Sequence, residues 1–347
     1  MSSRKLQDAA LHKQRENRPE LFPAGLKFSY TFNDPDEMSA HGTKWRQEYF
    51  HVTRGRFEGM IQAAHTRSLQ IGMVTWSPGI FIAGDIPEKS VVFAVSKSET
   101  ASPVFHNYPL YTTELVILRD GDEIDFLSKC PHDMLVLSID KDLINRYSIA
   151  LLGNDLDAVN TCNNRLKIKD ESSRRELVDL WKSTINLAIS SDQNLQDINF
   201  ANKIEEEIIR SVLCNSAPSD SRPTRVERHR AAKRARQYIL ENKNNLMSIL
   251  DICEEVGATE RTLHLGFKEL YGLTPKTFLK YLRLHHARKE LLRAESGCTV
   301  TSVAYKWKFY HLSRFARSYY EMFNEHPSET LNRSKTLNHS TVDQVHL

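Results

Sequence analysis

The strongest constraint on this chain is an internal repeat in its last third, where one pattern of apolar positions recurs at an offset of 51 to 52 residues. Ile252 and Cys253 correspond to Val303 and Ala304, Val256 to Trp307, Leu263 to Phe315, Phe267 to Tyr319, Tyr271 to Phe323 and Pro275 to Pro327. Such regularity specifies two copies of one supersecondary unit. In the first copy Ser248 to Val256 reads as a short helix, Gly257, Ala258 and Thr259 as a turn, and Glu260 to Tyr271 as a second helix. Gly257 supplies the left-handed residue that ends one helix, and the Thr259 hydroxyl caps the next. Leu263, Phe267 and Leu270 fall at i, i+4 and i+7 and bury one face, while Arg261, His264 and Lys268 occupy the other. This is a helix-turn-helix pattern, and its exposed second helix suits the major groove of DNA. Thr274-Pro275 opens a joining helix that runs to about Ala294. Roughly 19 residues at ~1.5 Å each span about 28 Å, near the ~34 Å between successive major grooves on one face of the duplex.

Charge sorts along the same division. Residues 225–347 hold 21 Lys and Arg against 13 Asp and Glu, and the remainder holds 26 against 31. A basic last part behind an acidic first part assigns contact with a polyanion to the last part, which opens on a basic helix from Arg228 to Ile239. The five cysteines, Cys130, Cys162, Cys214, Cys253 and Cys298, form no CxxC pair, and the 14 histidines include no HxH or HExxH pair. His106 and His132 are isolated, so neither a metal nor any other cofactor is expected, and catalytic residues are expected to be absent. His285 and His286 point to different sides of the joining helix. The charged first 20 residues lack a signal-peptide core and no stretch of 18 uncharged apolar residues follows, so a soluble cytoplasmic protein without membrane contact is expected.

Ahead of the repeat the pattern differs. Runs at Arg56–Ala64, Leu69–Trp76, Val91–Val95, Glu114–Leu118 and Met134–Ile139 read as strands, separated by turns such as Ser77-Pro78-Gly79 and Arg119-Asp120-Gly121-Asp122. A small β-barrel or sandwich is expected. Trp76, Phe81 and Phe93 are pocket candidates there, although aromatic strand residues are more often plain core. Helical periodicity then takes over, with Leu177, Trp181, Ile185 and Ala188 on one stripe and Ile198, Ile204, Ile208, Ile209 and Leu213 on the next. The Pro- and Ser-rich stretch from Asn215 to Pro223 marks a domain boundary. The expected organisation is a β-rich regulatory domain over residues 1–145, a helical linker or dimerisation segment over 146–215, a linker over 216–224, a DNA-binding domain over 225–335 and a flexible tail over 336–347.

From Arg225 to Leu331 the layout resembles the AraC/XylS family of bacterial regulators, through Arg283-Leu284-x-x-Ala287-x-x-x-Leu291-Leu292 in the joining helix and Phe315-Ala316-Arg317-x-Tyr319 through Pro327 in the second unit. A shorter likeness, Trp45-Arg46-Gln47-Glu48-Tyr49 through Gly55-Arg56-Phe57-Glu58-Gly59 with Phe309-Tyr310-His311-Leu312, is to regulators of the ethanolamine-utilisation type. The resemblance implies a cupin-like barrel carrying a helical extension, ahead of an all-α domain of two helix-turn-helix units joined by a long helix. It implies a sequence-specific transcriptional regulator, an activator in the family's commoner mode, that dimerises, engages two adjacent major grooves of double-stranded DNA, responds to a small-molecule effector or partner, and meets RNA polymerase. Carried over by position, Arg261, His264, Leu312, Ser313, Arg314 and Arg317 face base edges, and Lys268, Lys276 and His311 meet phosphates. Two departures stand out: Lys308 and Asn324 replace family glycines in the second unit, and Leu265 sits where base-reading members carry Arg. Competing classes are an enzymatic or small-molecule-binding barrel with a nucleic-acid-binding tether, and a constitutive regulator with no effector.

Overall fold

The computed structural model describes residues 21–342 except 43, 78, 98–102, 107, 157–163, 191–194, 219–226, 243–246 and 294–296. Cys162 and most of the expected linker fall outside the described residues. The first half runs β1 (Lys27–Phe32), α1 (Pro35–Ala40), β2 (Arg46–His51), β3 (Glu58–His65), β4 (Leu69–Ser77), β5 (Ile80–Asp85), β6 (Ser90–Ser96), β7 (Val104–Phe105), β8 (Tyr108–Pro109), β9 (Glu114–Leu118), β10 (Glu123–Ser128) and β11 (His132–Asp140). It continues through α2 (Lys141–Leu152), β12 (Arg165–Ile168), α3 (Glu171–Ser190), α4 (Ile198–Asn215) and β13 (Ser216–Pro218). The second half is helical: α5 (Glu227–Glu241), α6 (Ile249–Val256), α7 (Glu260–Tyr271), α8 (Pro275–Arg293), α9 (Val300–Lys306), α10 (Leu312–Phe323) and α11 (Pro327–Val342).

Two antiparallel sheets build the β-domain, one ordered β1-β3-β4-β11-β6-β9-β12-β13 and the other β2-β5-β10-β7-β8. Alternating side chains of both, such as Ile61, Val92 and Met134 from the first and Tyr49, Ile82 and Phe126 from the second, meet in one apolar cluster, so the sheets face each other. The opposite face of the first sheet buries Leu69, Phe93 and Leu137 against α3 and α4. The stripes Leu177-Trp181-Ile185 and Ile204-Ile208-Ile209 are spent on this packing. Ser216 to Pro218, expected in the linker, instead pair with β12, because the Ser216 to Pro218 backbone finds an open sheet edge.

The second sheet is covered on its other face by the helical half. Phe50, Phe81 and Leu127 share one cluster with Ala232, Ile239, Phe267 and Phe278, and the Phe81 and Phe278 rings cross edge to face at 5.8 Å. Arg236 of α5 donates to Asp125 of β10 within this contact and lies over the Phe81 ring. The second helix-turn-helix has a cluster of its own, from Leu284, Ala287 and Leu291 of α8 to Val303, Phe315, Tyr319 and Met322.

Candidate nucleic-acid interface

The first unit is α6, a turn and α7. Ser248 and Asp251 form a reciprocal capping box at the start of α6, and Gly257 ends it with φ 63°. Thr259 then caps α7 by accepting the Thr262 amide at 3.2 Å. Gly266 in α7 has a role the residue pattern did not flag: a Cβ there would stand 2.2 Å from the Arg228 carbonyl, so only glycine lets α5 lie against the helix. With Leu263, Phe267 and Leu270 buried, Arg261, His264, Leu265 and Lys268 form the exposed face of α7. Leu265 is 42% exposed, an apolar side chain on that solvent-facing surface.

The second unit, α9 and α10, repeats this geometry with different residues. Thr299 and Ser302 make the capping box of α9. Lys308 stands where Gly257 stands in the first unit and adopts the same left-handed conformation, φ 59°, which costs an L-residue about 1–2 kcal/mol. His311 is the cap residue of α10 but its side chain accepts no cap hydrogen bond. Asn324 ends α10 at φ 55°, as Gly272 ends α7 at φ 64°. Phe315, Tyr319 and Met322 are buried, and the Tyr319 hydroxyl bonds the Thr330 hydroxyl at 2.8 Å. Burial raises the Tyr319 phenol, which is neutral at all ordinary pH.

Each expected contact residue is therefore solvent-facing: Arg261, His264 and Lys268 on α7, Lys276 in the first turn of α8, and His311, Leu312, Ser313, Arg314 and Arg317 at the start of α10. Arg317 Nε lies 3.2 Å from Glu321, which also meets Arg54 of the β2–β3 loop at 3.2 Å. Both arginines are largely exposed, so these pairs hold them loosely. His285 and His286 diverge as the helical pattern requires: His286 stacks on Trp307 at 4.7 Å, while His285 turns into the β-domain.

That β-domain contact was not foreseen. His285 Nε2 donates to the His51 carbonyl at 3.1 Å, against Phe50 and Phe323. Burial first, then the neighbouring charges, hold both imidazoles neutral: His51 falls to about 4, and His285 falls well below the ordinary value. Three residues on, Arg288 donates through Nη1 to Asp34 and through Nε to Glu325 at 2.9 Å, and Lys289 pairs with Asp36 at 3.0 Å. The Asn33-Asp34-Pro35 signal, a cap residue before proline, marks α1 as a helix; the partners of its carboxylates lie over 250 positions away and leave no local trace.

Between the two sheets lies a cavity of about 120 Å3, walled by Phe28, Trp45, Ile61, Trp76, Val92 and Phe126 among others. Of the pocket candidates only Trp76 lines it. Phe93 is packed against the α3 and α4 side, and Phe81 against α8, because successive strand residues face opposite ways. Its polar lining includes His41 and two hydrogen-bonded pairs: Trp45 Nε1 donates to Gln70 at 2.7 Å and the Tyr49 hydroxyl to Gln47 at 2.7 Å. Among the described residues, no Asp, Glu, Lys or Arg lines this space. His132 is bonded to Ser96 at 3.0 Å and His106 lies stacked on Phe105.

Residues 252–333 match the family model described as a helix-turn-helix domain. The chain is 37% identical over 95 residues to the probable thc operon regulatory protein of Rhodococcus erythropolis, covering 27% of this chain and 29% of that one. It is 31% identical over 131 residues to the XylDLEGF operon transcriptional activator 2 of Pseudomonas putida, covering 37% of this chain and 83% of that one. A solved structure of a probable AraC family transcriptional regulator from Rhodopseudomonas palustris is 34% identical, over 30% of this chain and 97% of that one, with a TM-score of 0.29. The first curated relatives are matched over about a third of their own length or less.

Proposed function

The chain belongs to the AraC/XylS family of transcriptional regulators, and from that premise we propose that it binds specific DNA through both helix-turn-helix units and senses a small molecule in its β-domain. The observation that carries this reading is the paired exposure of two cation-bearing helix faces, each seated on an equivalent buried core. Arg314 and Arg317 suit bidentate bonds to guanine, Leu312 a thymine methyl, and Ser313, Arg261 and His264 other base edges. Lys268, Lys276 and His311 sit where phosphates would pass and set register without reading sequence. Leu265 offers no hydrogen bond to a base edge, so the second unit reads more of the site.

The β-domain reads as a cupin-like barrel, and its cavity as the effector's seat. A 120 Å3 space compares with the ~150 Å3 cavity that accommodates benzene, and apart from the exposed His41 it offers, among the described residues, no Asp, Glu, Lys or Arg to compensate a buried charge. The effector is accordingly a neutral, largely apolar molecule of about one ring. A homodimer, contact with RNA polymerase, activation and a cytoplasmic location belong to the same reading; no described helix is long and apolar enough to cross a membrane. The test is selection from a random duplex library with the full chain, because the core of the first unit is shared with the β-domain, followed by a salt titration of the winning sequence. Two half-sites one helical turn apart with a steep salt dependence support the proposal; absence of enrichment over random DNA refutes it.

A further inference from the structure

We propose that α1 relays occupancy of the β-domain cavity to the joining helix α8, through Asp34 and Asp36 acting on Arg288 and Lys289. The inference rests on the cavity being the effector's seat. α1 is six residues long, about 9 Å, and has a different job at each end. At its carboxyl end His41, Gly42 and Trp45 wall the cavity, and Met38 is fully buried in the same apolar cluster. At its amino end the Asp34 carboxylate does two things at once: Oδ1 accepts the Asp36 amide at 2.7 Å as the helix cap, and Oδ2 accepts from Arg288. Asp36 holds Lys289 at 3.0 Å. A helix this short moves as one body, so displacing its cavity end turns its cap away from α8.

Arg288 is built to change partners, and the contrast with Arg165, another buried arginine, shows how. Arg165 is locked by Glu114 and by the carbonyls of Phe105, Tyr108 and Pro109, all within the β-domain. Arg288 divides its donors between the two halves of the molecule, Asp34 on α1 and Glu325 just beyond α10, and lies 5.1 Å from the Phe323 ring centre. When α1 withdraws, Glu325 still pairs the guanidinium, so no buried charge is stranded. Glu325 also directly follows Asn324, the left-handed residue that ends α10. One arginine thus connects the wall of the cavity to the end of a reading helix, with two discrete arrangements available to it.

The test is amide hydrogen exchange on the full chain, without DNA, so that failure to select any duplex leaves this readout intact. Occupancy is imposed in two independent ways, by benzene at its solubility limit and by Ala94→Phe, which puts a ring into the cavity. Each is applied to the wild type and to the Asp34→Asn/Asp36→Asn variant, in which asparagine still caps α1 but the charges are gone. The expected result is a change of about threefold or more in exchange over residues 284–293 and 315–325 in the wild type, and a change confined to the β-domain in the variant. Equal responses of α8 and α10 in both backgrounds overturn the relay, as does a wild-type response confined to the β-domain. A β-domain that neither tolerates the ring nor is protected by benzene has no usable cavity, and overturns it too.

Discussion

The two helix-turn-helix units share a plan and differ in how each is held. The first ends α6 on a glycine, caps α7 with a threonine, and merges its core with the back of the second sheet through Phe81 and Phe278. The second forces a lysine into the same left-handed turn, starts α10 without a side-chain cap bond, and meets the β-domain through Asp34, Asp36, Arg54 and a pair of histidines. The first contact encloses one ion pair, Arg236 to Asp125, within its apolar cluster, whereas the second rests mainly on ion pairs. Apolar contacts cost area to separate and have no second arrangement, and ion pairs exchange partners. The first unit is therefore the anchored one and the second the adjustable one, although the second carries the two arginines proposed to read bases.

The largest test of this equivalence of plan is in the cores. Phe315→Ala is expected to cost about 3–5 kcal/mol and Leu263→Ala about 2–5 kcal/mol by denaturant unfolding. The first is expected to disorder the second unit alone, while the second also loosens the β-domain contact; identical exchange maps for the two variants break the distinction. Acid comes next. His51 and His285 are depressed from the ordinary value near 6.5, His51 to about 4, so above pH 6.5 they are neutral whether docked or unfolded and their contribution is complete. As pH falls below 6.5 the unfolded chain takes up protons first, and stability is lost progressively, on the order of 3 kcal/mol for His51 by pH 4. Fluorescent labels on α10 should respond to acid before labels on α7, and His51→Gln should flatten the response.

On DNA, Arg314→Ala is expected to weaken binding by about 1–3 kcal/mol and relax preference at one base position, whereas Lys268→Ala should weaken all sequences alike and lower the salt slope by about 1. Unchanged binding by both would remove them from the interface. Smaller still is the turn. Lys308→Gly should stabilise the chain by about 1 kcal/mol and Gly257→Lys should cost about 1–2 kcal/mol, since no atom stands within 4 Å of a Cβ at 257 and only backbone strain is at issue. If Lys308→Gly destabilises, the lysine side chain outweighs its strain. Last, His311→Thr gives α10 the cap that α7 has and should add about 0.5–1 kcal/mol to the melting free energy.

What the residue pattern disclosed follows from length and locality. The repeat, the turn at Gly257 and the helix from Pro275 were legible because caps, periodic stripes and prolines act within a few residues of each other. The five strands read from the sequence all lie in the eight-stranded sheet, where runs such as Val91–Val95 are long. No strand of the other sheet was read. In β5 only Ile80, Phe81 and Ile82 precede Ala83-Gly84-Asp85, and those three divide between two cores, Ile80 and Ile82 inward and Phe81 toward α8, so neither alternation nor a long run announces a strand. The exposure of the expected contact residues was legible by position on their helices. The ties to Asp34, His51 and Asp125 were not, because pairings across more than 100 residues are set only by the folded topology.

The strand β13 sets a leash. The chain is pinned to β12 as far as Pro218 and re-enters helix at Glu227, so only nine peptide steps, at most about 32 Å of contour, separate a fixed point on one half from a fixed point on the other. A DNA-binding half released from both its apolar contacts and its ion pairs would still be confined near its docking face, at an effective concentration on the order of millimolar. Re-engagement is then intramolecular and independent of how many copies the cell holds. Contacts too weak to hold two separate proteins together suffice to reset this one.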